Sequence, residues 1–75
     1  MLNNDTVICI GDKVVDEEGL TYTVVDHGGH ELACRADYGR DPLVNEYVFV
    51  IFSLEHGAWV DRDQDEPKCR LIEVI

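Results

Sequence analysis

Leu20-Thr21-Tyr22-Thr23-Val24-Val25-Asp26-His27-Gly28-Gly29-His30-Glu31-Leu32-Ala33-Cys34-Arg35-Ala36 consists of two alternating runs joined by a double glycine. Successive side chains of a strand point to opposite faces. Leu20, Tyr22 and Val24 therefore share one face, the better candidate for the core, and Thr21, Thr23 and Val25 share the other. Beyond the glycines, Leu32, Cys34 and Ala36 form a second apolar set opposite Glu31, Ala33 and Arg35. Gly28 and Gly29 are free to adopt positive φ without steric cost, which suits a tight hairpin. The unit from which the fold is read is thus an antiparallel hairpin with one buried face, and Cys34 is expected inside it.

Similar short β-rich segments, separated by Gly, Asp, Asn and Pro clusters, run through the rest of the chain, the spacing of small sandwiches and barrels. Strands are expected at residues 6–10, 13–16, 21–26, 31–37, 46–54 and 68–75, with a short extra one at 58–60. Asp16-Glu17-Glu18-Gly19 reads as a reverse turn. Residues 38–45 read as a loop in which Asp41-Pro42 suits the opening of one helical turn. Residues 61–67 read as a solvated loop. No repeat or Gly/Ser linker divides the chain, so residues 1–75 are expected to form one domain. A chain of 75 residues buries only about 60% of its unfolded surface, so its stability is modest.

Gly11-Asp12-Lys13-Val14-Val15, then Gly19, then Tyr22-Thr23-Val24-Val25 and a glycine turn into a cysteine-containing strand resemble the opening of small SH3-like barrels of the KOW, Tudor-like or YodC-like type. The resemblance covers about a third of the chain. It implies an all-β, partly open barrel of five to six antiparallel strands. KOW domains commonly contact RNA or ribosomal and transcription proteins, but this chain departs from them in charge. Sixteen acids against six bases leave a net charge of −10, which opposes the phosphate contacts that nucleic-acid binding requires. Direct nucleic-acid binding is therefore not carried over.

No apolar run reaches the roughly 18 residues of a membrane span. Met1-Leu2-Asn3-Asn4-Asp5 lacks the basic start and apolar centre of a signal peptide. A cytoplasmic protein without membrane contact is expected, with Cys9, Cys34 and Cys69 reduced and acting as small core residues.

The candidate chemistry is sparse. His27-x-x-His30 with Cys34 suggests a zinc site, but a structural site usually needs four ligands, and the inward orientation of Cys34 separates it from histidines on a hairpin tip. Asp61, Asp63 and Asp65 alternate as at the start of an EF-hand loop, yet Glu66 and Ile72 stand where that loop needs glycine and a bidentate glutamate. Cys34 with His56, or Ser53 with His56, supplies nucleophile and base without a motif that brings them together. No enzyme activity, metal or cofactor is expected.

Two features remain. Tyr47-Val48-Phe49-Val50-Ile51-Phe52 is apolar on both faces. Its outward side needs cover, from Ile72, Val74 and the first strand, from a second copy, or from a different protein. Self-association through Tyr47, Val48, Val50 and Phe52, giving a homodimer, follows from the second option. The other feature is the concentration of carboxylates at Asp16, Glu17 and Glu18 and at Asp61, Asp63, Asp65 and Glu66, which suits a basic protein surface. The expected function is a non-enzymatic acidic interaction module, an inhibitor or modulator of a basic nucleic-acid-binding protein in the manner of small phage or mobile-element proteins. The alternative is a small metal- or ligand-binding domain centred on the His27/His30 hairpin.

Overall fold

A computed structural model describes residues 2–41, 43, 46–62 and 69–75 of the chain. Six strands occur among them: β1 (Lys13–Asp16), β2 (Thr21–Gly28), β3 (Glu31–Asp41), β4 (Glu46–Glu55), β5 (Ala58–Asp61) and β6 (Leu71–Val74). All pair antiparallel, in the order β5-β4-β3-β2-β1-β6. The two outermost strands meet. Val60 bridges Arg70, and the Asp61 N–H donates to the Cys69 carbonyl at 2.7 Å. Farther along the same seam Leu2 lies between them. Its N–H donates to the Leu71 carbonyl and its own carbonyl accepts the Trp59 N–H. The result is an all-β, nearly closed barrel compatible with the SH3-like layout.

The alternation read from the hairpin sets the core. Tyr22, Val24, Leu32, Cys34 and Ala36 are buried. The register joins them in inward-facing rows, Val14↔Tyr22↔Ala36 and Val24↔Cys34↔Val50, with Leu32 opposite Phe52. Ile8, Trp59, Leu71 and Leu2 complete the interior. Tyr22 stands edge-on to Phe52 with ring centroids 5.2 Å apart, a favoured aromatic geometry. Val25 is an extra residue between the Val24↔Cys34 and Asp26↔Ala33 pairs. Such a bulge sharpens local twist and helps a sheet curl.

Several expectations change. Residues 6–10 form no strand. The Asp12 carboxylate accepts the Cys9 N–H at 2.9 Å, while the Asp12 N–H donates to the Cys9 carbonyl, folding this segment into a turn through Gly11 at φ +95°. A side chain that captures nearby backbone in this way competes with a strand ladder. Ile8 alone of that segment is buried, and Cys9 is exposed instead of occupying the core. Leu20 belongs to the first turn and is partly exposed. The expected loop at residues 38–45 begins later, because β3 continues to Asp41. Pro42, Val44 and Asn45 lie outside the described residues. The last strand starts at Leu71, with Arg70 making one bridge before it.

Candidate functional site

The first turn is built around Asp16. A register shift between Val15 and Asp16 interrupts the β1–β6 ladder, and the Asp16 side chain is only 1% exposed. One carboxylate oxygen accepts the N–H groups of Glu18 and Leu20, each at 2.9 Å, and the other accepts the Tyr22 hydroxyl at 2.7 Å. The backbone closes in parallel: the Asp16 N–H donates to the Leu20 carbonyl and the Gly19 N–H to the Asp16 carbonyl. Gly19, at φ +87°, takes the left-handed position that a side chain would strain. Asp16 is therefore a structural carboxylate. The expectation that it faces a partner is corrected, and Glu17 and Glu18 are the exposed acids of this turn.

Tertiary structure brings this turn beside the connection between β5 and β6. The Glu17 N–H donates to the Arg70 carbonyl at 2.9 Å, and the Cys69 thiol and the Asp16 and Glu18 carboxylates lie within 4.8 Å of one another. Tyr38 joins the same end, edge-on to Tyr22 at 6.3 Å. Burial, then the charges of Asp16 and Asp61, push its hydroxyl pKa up. Asp61 is half-buried at the end of β5. Asp63, Asp65 and Glu66 lie outside the described residues, but the segments flanking them, Asp61–Arg62 and Cys69–Arg70, enter and leave at this end.

Asp16, Glu18 and Cys69 are the one group of three potential metal ligands among the described residues. Its chemistry is that of a hydrogen-bonded carboxylate beside a neutral thiol. Burial and then the Asp16 charge push the Cys69 thiol up to about 11, and three hydrogen bonds already converge on Asp16. The hairpin histidines are placed otherwise. His27 stands edge-on to Trp59, centroids 5.8 Å apart, and His30 uses its carbonyl to accept the Leu54 N–H. Cys34 points into the barrel and His56 occupies the exposed turn after β4. Ile72, the twelfth position of the calcium-loop pattern, lies in β6.

The doubly apolar strand is resolved by its register. Phe52 pairs Leu32 and is buried, Val50 pairs Cys34, and Val48 and Val50 pack half-buried against the core. The self-association face expected at Val48, Val50 and Phe52 is thus the inner face. Tyr47, Phe49 and Ile51 form the outward one. Ile72 and Val74 do not cover it, because β6 adjoins β1 on the opposite side of the sheet order.

The thiols should separate by access. Cys9 is exposed, Cys69 is half-buried and Cys34 is fully buried, with burial pushing Cys34 up to about 12. Timed thiol titration of native protein at mildly alkaline pH is expected to show one fast cysteine, one slow one and a third that reacts only after denaturant is added. Equal rates for Cys9 and Cys34 would contradict the inward register of β3.

Set against family models, curated proteins and solved structures, the chain matches none of them.

Proposed function

We propose that the chain is a non-enzymatic acidic interaction module whose carboxylate-rich end docks on a basic protein surface. The observation that carries this reading is the contact of the Asp16–Gly19 turn with the β5–β6 connection through Glu17 and Arg70. It sets the exposed acids Glu17 and Glu18 beside Cys69 and Arg70, which lead into β6. The proposed surface combines Glu17 and Glu18, exposed in the turn, with Asp61 and with the sequence neighbours Asp63, Asp65 and Glu66. One-sided charge of this kind raises encounter rates with an oppositely charged partner and disfavours acidic ones. Basic nucleic-acid-binding proteins are the class that fits, and the role is that of an inhibitor or modulator, as among small phage and mobile-element proteins. The SH3-like resemblance places the scaffold near KOW, Tudor-like and YodC-like domains, with protein contact in place of RNA contact.

The test begins with partners captured from the native cell and purified, whose association is then followed in rapid mixing. The rate constant is expected to fall about tenfold or more as salt rises, since charge attraction reaches only about 8 Å at physiological ionic strength. A variant carrying Glu17→Gln, Glu18→Gln, Asp63→Asn, Asp65→Asn and Glu66→Gln should show a comparable fall with its unfolding midpoint nearly unchanged. Association that ignores both salt and these substitutions would sink the electrostatic mechanism. Tight direct binding to DNA or RNA would contradict the partner class.

A further inference from the structure

The outward face of β2, β3 and β4 differs from the acidic end in charge. On β3 the outward positions are Ala33, Arg35 and Asp37, since Leu32, Cys34 and Ala36 face the core. Lys13 lies 2.8 Å from Asp37, and the Thr23 hydroxyl donates to the same carboxylate. Arg62 lies 3.0 Å from Glu31, and Asp26 occupies the row of Ala33. Lys13, Arg35 and Arg62 thus offset Asp26, Glu31 and Asp37 around the middle of this face, with Glu55 at the far end of β4. At its centre Phe49 is 58% and Tyr47 is 45% exposed, and the Arg35 guanidinium stands 5.2 Å over the Tyr47 ring.

We propose that this face is the contact between two copies of the chain, related by a twofold axis that crosses the strands between the Arg35 and Asp37 rows. Such an axis sets Arg35 of each copy against the partner's Asp37 and brings Phe49 against the partner's Tyr47. Two aromatic contacts and two opposite-charge contacts form at once. A second copy fits better than an unrelated protein because a twofold contact must be self-complementary. Along β3 the face offers one base and one acid a single outward position apart. A basic partner is drawn to the acidic end instead, and an acidic one is repelled by the net charge. The same axis sends the acidic turns of the two copies to opposite sides of the contact. This inference is independent of the reading of the acidic end, because it rests on a different face and on paired charges.

Charge exchange between the copies tests it. Sedimentation velocity of the full chain at rising concentration is expected to show a monomer–dimer equilibrium. Arg35→Glu places Glu against the partner's Asp37, and Asp37→Arg places Arg against the partner's Arg35, so each variant alone should dimerise about tenfold or more weakly. Mixed in equal amounts, the two variants form a heterodimer in which both charge contacts are again opposite in sign, and dimerisation should return. Circular dichroism verifies that each variant is folded. If Asp37→Arg does not fold, Phe49→Ser serves in its place, as an exposed substitution that removes the aromatic contact and should leave a monomer. Wild-type protein that stays monomeric at high micromolar concentration overturns the proposal. So does a mixture that fails to restore the dimer, or a Phe49→Ser variant that dimerises as strongly as wild type.

Discussion

Replacing Asp16 with alanine is expected to unfold most of the protein at ambient temperature. The substitution leaves the buried Tyr22 hydroxyl and the Leu20 and Glu18 N–H groups without the carboxylate that now accepts all three. Hydrogen bonds to a charged group contribute about 1.5–3 kcal/mol each, and a stranded buried donor costs its desolvation besides. Three such bonds amount to about 4.5–9 kcal/mol, which spans most of the roughly 4–11 kcal/mol expected of a 75-residue domain at about 0.05–0.15 kcal/mol per residue. Tyr22→Phe removes one partner and should cost about 1–2 kcal/mol. Urea unfolding of both single variants and the double variant checks the link: the costs should fall short of additivity by about 1 kcal/mol or more. Full additivity would mean that the Tyr22–Asp16 bond contributes nothing. Glu17→Gln and Glu18→Gln, one and two residues away but exposed, should shift stability by no more than about 0.5 kcal/mol. Neighbouring acids thus divide into a fold-holding carboxylate and solvent-facing ones.

Alkaline solution is expected to weaken the barrel progressively from about pH 9 upward. Burial pushes the Cys34 thiol from its ordinary value near 9 up to about 12, and burial with the Asp16 charge pushes Cys69 up to about 11. Burial and the hydrogen bond to Asp16 likewise push the Tyr22 hydroxyl upward. Each group is an acid whose neutral form the folded state prefers. The stabilisation is complete below the unfolded pKa, because both states then hold the proton. It is lost as pH rises towards the folded pKa, because the unfolded chain ionises first. For Cys34 the window is pH 9 to about 12, with a slope of about 1.4 kcal/mol per pH unit. Cys69 is only half-buried, so its share is smaller. Urea midpoints measured in steps from pH 8 to 11 should fall progressively, and Cys34→Ala should flatten the fall while lowering stability by a constant amount from its small cavity. Parallel curves for wild type and Cys34→Ala would show that thiol ionisation does not drive the loss.

Much of the fold was legible because strand alternation is a property of local backbone geometry. Tyr22, Val24, Leu32, Cys34 and Ala36 could be assigned to one interior from their spacing alone, and the double glycine between them located the hairpin. The strand-like residues 6–10 misled because β-branched and apolar composition describes a preference, whereas the two hydrogen bonds between Asp12 and Cys9 describe a competing turn. Asp16 misled for a related reason. Its neighbours read as a solvated turn, although the alternation of β1 carries Asp16 to the inner face with Val14, where the Tyr22 hydroxyl meets its carboxylate.

The sequence by itself determined the all-β class, the hairpin and the inner face of β2 and β3, since each follows from residues adjacent along the chain. Tertiary structure alone decided which side of β4 is buried, because both sides are apolar and only pairing of Phe52 with Leu32 and Val50 with Cys34 distinguishes them. It also decided that the first turn lies beside Cys69 and Arg70, just ahead of β6. That proximity arises from β6 lying beside β1 while the seam closes at Val60 and Arg70, a consequence of sheet curvature that no local pattern of residues encodes.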